Sequence, residues 1–260
     1  MKTVAFCLSM LVILASSRAA IQTQEVTYQA AGTVMKGFLA WDDDVPGKRP
    51  GVLVVHEWWG LNDYASSRAE KLAGLGYTAL AVDMYGDGKS ASHPADAKTF
   101  MMEATKDPAT TKARFLAALE VLKSQPTVNP EKIAAIGYCF GGATVLSMAR
   151  QGVDLSAVIS FHGALGGLQP VQQPVKARIL VCHGGSDSFI PEEQITAFQE
   201  EMRDTDTTFL VYPGAKHGFT NPGADAKAAE FDLDVGYNET ADKASWEAMQ
   251  EFLKAAFAGH

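Results

Sequence analysis

Short runs of continuous apolar residues recur along the chain, and they constrain its fold more than any other feature. They include Pro50–His56 (PGVLVVH), Lys132–Tyr138 (KIAAIGY) and Ala177–His183 (ARILVCH). A strand that is apolar at successive positions is typical of one buried on both faces. Helical, amphipathic stretches such as Asn62–Leu75 and Glu239–Phe257 separate these runs. The alternation predicts an α/β fold, with a mostly parallel sheet covered by helices on both faces.

The rest of the pattern fits one domain. Glu25–Trp41 alternates like an antiparallel hairpin, with Ala31-Gly32 as the candidate turn. The other predicted strands are Tyr77–Met84, Leu155–Phe161 and Thr207–Tyr212, and the other predicted helices are Pro94–Lys106, Thr110–Lys123, Gly141–Gln151 and Glu192–Arg203. Because no repeat, linker or low-complexity tract divides the chain, we expect a single domain over residues 20–260.

The first residues have the layout of a secretory signal. A short positive start (Met1–Thr3) precedes the apolar run Val4–Ala15, and small residues then lead to Ser17-Arg18-Ala19. The alternative is a membrane anchor, but a span of the hydrocarbon core needs roughly 20 apolar residues. We therefore expect a signal peptide at residues 1–19 that is cleaved, and a periplasmic or secreted protein.

The charge of the chain limits its partners. It has 22 Lys+Arg against 30 Asp+Glu, a formal net charge of −8, and removing residues 1–19 takes away Lys2 and Arg18 and no acid. This acidic balance argues against a nucleic-acid binder, which usually carries a basic face. After the signal, no stretch is long and apolar enough to span a membrane. We expect a monomer that acts on a small molecule.

One predicted strand runs directly into a glycine-rich turn. Gly137-Tyr138-Cys139-Phe140-Gly141-Gly142 matches the nucleophile-elbow pattern G-x-S-x-G, with Cys139 in place of serine. The elbow would hold the Cys139 side chain above the sheet at the start of a helix, where the helix dipole favours a thiolate. The backbone N–H of Phe140 would then face a developing oxyanion. The alternative is a buried cysteine in an ordinary strand–helix turn.

Two later strand ends supply partners for a nucleophile. Asp187 follows the strand ending at His183, where it could orient a histidine or simply cap a helix. His217 follows the strand ending at Tyr212 and is a candidate general base, although an isolated loop histidine is usually solvated. The chain order nucleophile, aspartate, histidine favours the catalytic interpretation of both residues.

A fourth strand end reads His56-Glu57-Trp58-Trp59-Gly60. A loop at this place in such a fold supplies a second oxyanion donor. Glu57, flanked by His56 and two tryptophans, is predicted to be partly buried with a displaced pKa. The alternative is an ordinary surface acid.

These segments together resemble the dienelactone hydrolase family, whose members have the α/β-hydrolase fold. The resemblance extends from about Gly32 to Phe257. It is carried by His56-Glu57-Trp58-Trp59-Gly60, Gly137–Gly142, Gly184-Gly185-Ser186-Asp187 with Ile190-Pro191, His217-Gly218-Phe219, and the tail Tyr237-Asn238-Glu239 leading to Trp246.

The resemblance implies an ester or lactone hydrolase of the carboxymethylenebutenolidase type. Cys139 would be the nucleophile, His217 the base and Asp187 its partner, with a thioester acyl-enzyme that water hydrolyses. Glu57 would be the family's extra carboxylate, which interacts with the resting thiol. The backbone N–H groups implied for the oxyanion hole are those of Phe140 and Trp58. No metal or organic cofactor is implied.

Two departures from the family concern the substrate. The dienelactone enzymes hold the substrate carboxylate with arginines, but this chain has Gly86-Asp87-Gly88-Lys89 and Gly218–Pro222 at the corresponding places. Lys89 lacks the bidentate geometry of arginine. A less charged, more apolar ester or lactone therefore fits as well as dienelactone. The candidate substrate-pocket residues are Trp59, Tyr138, Tyr85 and Lys89.

Other functional classes remain open. An acyltransferase would use the same acyl-enzyme, and a binding protein could keep the pocket without turnover. Cys182 ends a strand and is predicted to be a buried structural thiol, with a Cys139–Cys182 disulfide as the alternative that would disable the nucleophile. His93, His162 and His260 show no metal-ligand spacing.

Overall fold

The computed structural model describes residues 21–167, 171 and 174–259; the predicted signal at residues 1–19 lies outside them. The strands are β1 (Ile21–Ala30), β2 (Thr33–Asp42), β3 (Arg49–Val55), β4 (Thr78–Val82), β5 (Val128–Tyr138), β6 (Ala157–Phe161), β7 (Arg178–Gly184) and β8 (Thr207–Tyr212). The helices are α1 (Asp63–Ala73), α2 (Pro94–Thr105), α3 (Pro108–Lys123), α4 (Phe140–Arg150), α5 (Glu192–Glu201), α6 (Ala224–Phe231) and α7 (Glu239–Ala258).

All eight described strands form one sheet in the order β1-β2-β4-β3-β5-β6-β7-β8. Each pairing from β4 to β8 is parallel, whereas β2 pairs antiparallel with both β1 and β4. The prediction of a mostly parallel sheet is therefore confirmed. The hairpin turns at Ala31 (φ 48°) and Gly32 (φ 78°), and two successive positive φ angles suit a tight two-residue turn.

The core lies on both faces of the sheet, which explains the continuous apolar strands. In β3, Leu53 and Val55 belong to one buried cluster while Val52 and Val54 belong to the other, because successive strand residues point to opposite faces. Helices α3, α4 and α5 contribute to the first cluster, and α1 and α7 to the second.

Local capping sets the helix boundaries. Asn62 accepts a hydrogen bond from the Ala65 N–H and begins α1. Asp107 accepts from the N–H groups of Ala109 and Thr110, so α3 begins at Pro108, two residues before the predicted start. Helix α6, between β8 and α7, was not predicted. Among the described helices, none has the length and apolar character to cross a bilayer.

Candidate active site

Four loops meet at the carboxyl ends of β3, β5, β7 and β8. They carry Glu57, Cys139, Asp187 and His217. Since these strands are parallel to one another within the same sheet, their carboxyl ends lie along one edge. The sheet topology therefore places the four predicted catalytic side chains on the same side of the molecule.

The elbow at Cys139 depends on its glycines. The backbone of Cys139 has φ 53° and ψ −114°, a conformation that residues other than glycine rarely adopt. Cys139 immediately precedes α4. A Cβ on Gly137 would lie 2.1 Å from the carbonyl oxygen of Gly141. A Cβ on Gly141 would lie 2.1 Å from the carbonyl oxygen of Val55. Only glycine allows the backbone to pass this closely at both positions, so the turn can hold the thiol out of the sheet.

Asp187 and His217 form a hydrogen-bonded pair. Nδ1 of His217 lies 2.8 Å from Oδ2 of Asp187, whose side chain is fully buried. The other carboxylate oxygen accepts the N–H of Phe189. The two loops are also joined through their backbones, since the N–H of Ser186 donates to the carbonyl of Ala215 over 2.8 Å. Asp187 therefore fixes the orientation of the imidazole and keeps a proton on its Nδ1.

The other side of the His217 imidazole contacts the thiol. Burial acts to lower the pKa of His217, but the charge of the Cys139 sulfur and hydrogen bonds to Asp187 and Cys139 outweigh it, and the pKa rises to about 10. The imidazole is thus stabilised in its protonated form beside a sulfur that can carry the opposite charge. Such a pair can deliver a nucleophile and then donate a proton to a leaving group.

The loop after β3 is held by a buried histidine. His56 is fully buried, and its Nδ1 lies 2.5 Å from the carbonyl oxygen of Glu57. Its Nε2 accepts the N–H of Met84 over 3.3 Å, which assigns the ring proton to Nδ1. The hydroxyl of Tyr85 donates to the carbonyl of Trp58 over 2.9 Å. Two successive peptide groups of this loop are therefore fixed by side chains.

Glu57 is buried beside the thiol but hydrogen-bonds elsewhere. Its Oε2 accepts Nδ2–H of Asn221 over 2.6 Å. Burial raises the pKa of Glu57, and the Asn221 amide together with the charges of His217 and Arg68 opposes that rise. The resemblance implied a contact between Glu57 and the resting thiol. Glu57 and Cys139 line the same cavity, and the hydrogen-bond partner of the Glu57 carboxylate in this structure is Asn221.

This cavity is small, with a volume of about 30 Å³. Its described walls are formed by Glu57, Trp58, Trp59, Cys139, His217, Gly218, Asn221, Ala224, Lys227, Leu233 and Val235. Trp59 is thus in the wall, as the sequence indicated for a pocket residue. Asn221 and Lys227 were missed, although the helix-forming sequence around Lys227 could have indicated α6.

The other predicted pocket residues, Tyr85, Tyr138 and Lys89, are not among the described residues that line this cavity. Tyr85 instead holds the Trp58 loop through its hydroxyl. Tyr138 is fully buried, with its ring stacked on Phe161 at 4.7 Å. The ammonium of Lys89, an exposed residue, lies 5.9 Å from the centroid of the Phe100 ring.

A buried cation supports the His217 loop from behind. Arg68 is 2% exposed, donates to the carbonyl of Thr220, and pairs with Asp242 over 2.8 Å. The Thr220 hydroxyl lies 2.8 Å from Nε2 of His162, whose ring contacts that of His217. Helices α1 and α7 are thereby connected to the loop that carries the base.

Both described cysteines are free, and Cys182 is fully buried. The described residues contain no group of three or more His, Cys, Asp or Glu side chains arranged to hold a metal ion.

An eight-stranded, mostly parallel sheet with a nucleophile elbow defines an α/β-hydrolase. The sequence profile of the dienelactone hydrolase family matches residues 35–257. The chain belongs to this family of hydrolases.

The similarity extends to named relatives and a solved structure. The chain is 41% identical to an uncharacterised Caenorhabditis elegans protein over 56% of this chain and 94% of that protein. It is 28% identical to a Saccharolobus solfataricus protein provisionally named carboxymethylenebutenolidase, covering 89% of this chain and 98% of that one. A dienelactone hydrolase-like promiscuous phosphotriesterase from metagenomic libraries is 37% identical, with a TM-score of 0.84 over 92% of this chain and 99% of its own.

Proposed function

We propose that this protein hydrolyses a carboxylic ester or lactone of a small molecule through a thioester on Cys139. The observation that carries the proposal is the arrangement of three groups. Cys139 occupies the strained elbow position, its sulfur contacts the His217 imidazole, and Asp187 accepts from the other ring nitrogen over 2.8 Å. This is the arrangement that nucleophilic acyl transfer requires.

In the first half-reaction the Cys139 sulfur attacks the acyl carbon, and the carbonyl π electrons move to oxygen. The backbone N–H groups of Phe140 and Trp58 would stabilise that oxyanion. When the C–O bond breaks, the His217 imidazolium donates its proton to the departing oxygen and leaves a thioester. With a lactone, the departing oxygen remains attached to the acyl group.

In the second half-reaction water attacks the thioester carbon and His217 accepts its proton. Collapse of the tetrahedral intermediate breaks the C–S bond, releases a carboxylic acid and restores the thiolate–imidazolium pair. Asp187 keeps the imidazole in the same orientation for both proton transfers.

Rapid mixing with an activated aryl ester tests this mechanism. We expect a burst of the aryl alcohol equal to the enzyme concentration, together with an enzyme mass increased by the acyl group. Cys139→Ala should abolish both signals, whereas Cys182→Ala, which alters a buried thiol outside the cavity wall, should retain them. A wild-type protein that shows no burst over a panel of short and aromatic esters would contradict the proposal and favour a binding protein.

The same experiment separates hydrolysis from acyl transfer. With an added alcohol or amine, a hydrolase still releases mainly the free acid, whereas an acyltransferase forms mainly the new ester or amide. The ratio of the two products, measured by mass spectrometry, decides between them.

We also propose that residues 1–19 direct export and are removed, and that the mature protein is a monomer. The export proposal is supported by the apolar run Val4–Ala15 followed by small residues. Sequencing the N-terminus of protein recovered outside the cytoplasm should begin at Ala20, and sedimentation should give the mass of one chain. An intact Met1 or a dimer would contradict the respective proposal.

A further inference from the structure

His56 is a buried polar side chain beside the catalytic residues, with no part in the proposed proton transfers. It is fully buried and belongs to the loop that follows β3. Burial lowers its pKa to about 4, so the ring is neutral at physiological pH. Its ring also does not border the small cavity that contains the thiol. Its place in the fold is therefore explained by the backbone it contacts.

That backbone is the peptide group between Glu57 and Trp58. The Nδ1–H of His56 donates to the carbonyl oxygen of this peptide over 2.5 Å, and the N–H of Gly60 donates to the same oxygen over 3.2 Å. In a trans peptide the C=O and N–H bonds point in opposite directions. Fixing the Glu57 carbonyl on one side therefore fixes the direction of the Trp58 N–H on the other.

The same imidazole also contacts the residue that offers the second N–H group. Its ring stacks on that of Phe140, with centroids 5.6 Å apart and planes 28° apart. It meets the ring of Tyr85 edge-on at 4.7 Å, and Tyr85 holds the carbonyl of Trp58. His56 thus contacts both segments that carry the implied oxyanion donors. One is the loop that follows β3, and the other is the elbow that follows β5.

We propose that His56 is a positioning residue for the oxyanion hole, and that its Nδ1–H sets the direction of the Trp58 N–H toward the tetrahedral intermediate. This inference rests on the hydrolase function proposed above. It assigns to His56 an effect on oxyanion stabilisation and none on the reactivity of the thiol.

The variants His56→Leu and His56→Asn form a matched pair. Leucine and asparagine have similar side-chain length and branching, but only asparagine carries an N–H donor that can stand where Nδ1 does. Three quantities are measured for each variant: kcat and KM for an aryl ester, the affinity of a trifluoromethyl ketone that forms a tetrahedral adduct on Cys139, and the rate at which iodoacetamide alkylates Cys139. Alkylation forms no oxyanion and so reports on the thiol and His217 alone.

For His56→Leu we expect kcat to fall about tenfold or more, since loss of a whole oxyanion donor costs on the order of 10²-fold. The ketone affinity should fall by the same factor, while the alkylation rate stays within about twofold of wild type. His56→Asn should recover much of both losses.

Two outcomes would overturn the inference. Equal losses in alkylation and ester turnover would mean that His56 only maintains the fold of the site. Equal behaviour of the leucine and asparagine variants would mean that the donor is irrelevant. A wild type with no Cys139-dependent turnover would instead reject the proposed function.

Discussion

Asn221 donates Nδ2–H to Oε2 of Glu57 over 2.6 Å, although the two residues are 164 positions apart in the chain. The Oδ1 of Asn221 accepts the N–H of Gly223 over 2.8 Å, which determines which end of the amide faces Glu57. The stretch Gly218–Pro222, which contains no arginine, therefore presents a neutral amide to Glu57. This amide stabilises the charged form of a carboxyl whose pKa burial raises.

The substitution Asn221→Leu is expected to raise the pKa of Glu57 further, because burial remains and the amide hydrogen bond is lost. If ionised Glu57 is needed for turnover, the acid limb of the kcat/KM profile moves to higher pH. Ester hydrolysis between pH 4 and 8 measures the limb. Glu57→Gln should lower kcat/KM throughout this pH range and lack the limb assigned to this carboxyl, and an unchanged limb in both variants would show that Glu57 does not control it.

Asp187→Asn should lower activity by roughly 10³-fold or more, as loss of the orienting acid does in related catalytic arrangements. It should also move the alkaline limb, because contacts with Asp187 help to raise the pKa of His217 to about 10. In the wild type, kcat/KM for an alkyl ester is expected to fall as pH rises through about 10, when His217 loses the proton that the leaving oxygen needs. In Asp187→Asn this fall in kcat/KM should occur at a lower pH.

Asp234→Asn is the control, since Asp234 is an exposed carboxylate near the same loop, paired with Lys216.

Acid should destabilise the fold through its buried neutral histidines. Burial lowers the pKa of His56 from 6.5 to about 4 and also lowers that of His162. Below pH 6.5 the unfolded chain therefore binds protons that the folded protein does not. As the pH is lowered, the free energy of unfolding decreases. For His56 the loss is roughly 3 kcal/mol between pH 6.5 and 4.

His217 acts in the opposite direction. Its pKa is raised in the folded protein, so its contribution to stability is complete below pH 6.5 and is lost as pH rises through about 10. Urea unfolding between pH 4 and 10 measures both limbs. His56→Asn, which does not titrate, should show a shallower acid decline, and an identical decline would refute the assignment.

Tyr85→Phe removes the hydroxyl that donates to the carbonyl of Trp58 over 2.9 Å. A neutral hydrogen bond contributes about 1 kcal/mol, so we expect kcat to fall about fivefold with little change in KM. The matched control is Tyr28→Phe, because Tyr28 lies in β1 and its hydroxyl makes no hydrogen bond to the loop after β3. A comparable loss of kcat in the control would show that the effect is not specific to the oxyanion loop.

Lys227 should influence the choice between charged and neutral substrates. Among the described residues of the cavity wall it is the one lysine or arginine, and its ammonium lies 5.1 Å from the Trp59 ring and 4.9 Å from the Phe231 ring. Its carboxylate partner Glu230 is 57% exposed, and such a surface pair contributes little. A substrate carboxylate could therefore replace Glu230.

Matched substrates such as 4-acetoxybenzoate and its methyl ester measure this preference. Lys227→Met should lower the charged-to-neutral ratio of kcat/KM by several-fold to about tenfold, as expected for losing one hydrogen bond to a charged group. Lys227→Arg should retain the ratio. A fall in Lys89→Met instead, with no change in Lys227→Met, would assign the preference to the loop after β4.

Much of the fold followed from local patterns. The continuous apolar strands, the hairpin turn at Ala31-Gly32 and the helical stretch that starts at Asn62 each depend on neighbouring residues, and each was predicted. Helix α6 was missed because it is only eight residues long and has one buried residue, Ala224, so it lacks a clear apolar stripe.

The elbow around Cys139 and the order of Asp187 and His217 after it can be predicted from the chain alone, because glycine spacing and strand order are local or sequential properties. Three other contacts depend on the folded arrangement: Asn221 holds Glu57, and His56 faces the backbone of its own loop rather than the cavity. Lys227 also shares a cavity with the thiol only through the fold. Such contacts depend on how distant loops pack above the sheet, and no periodicity or spacing in the chain specifies that packing.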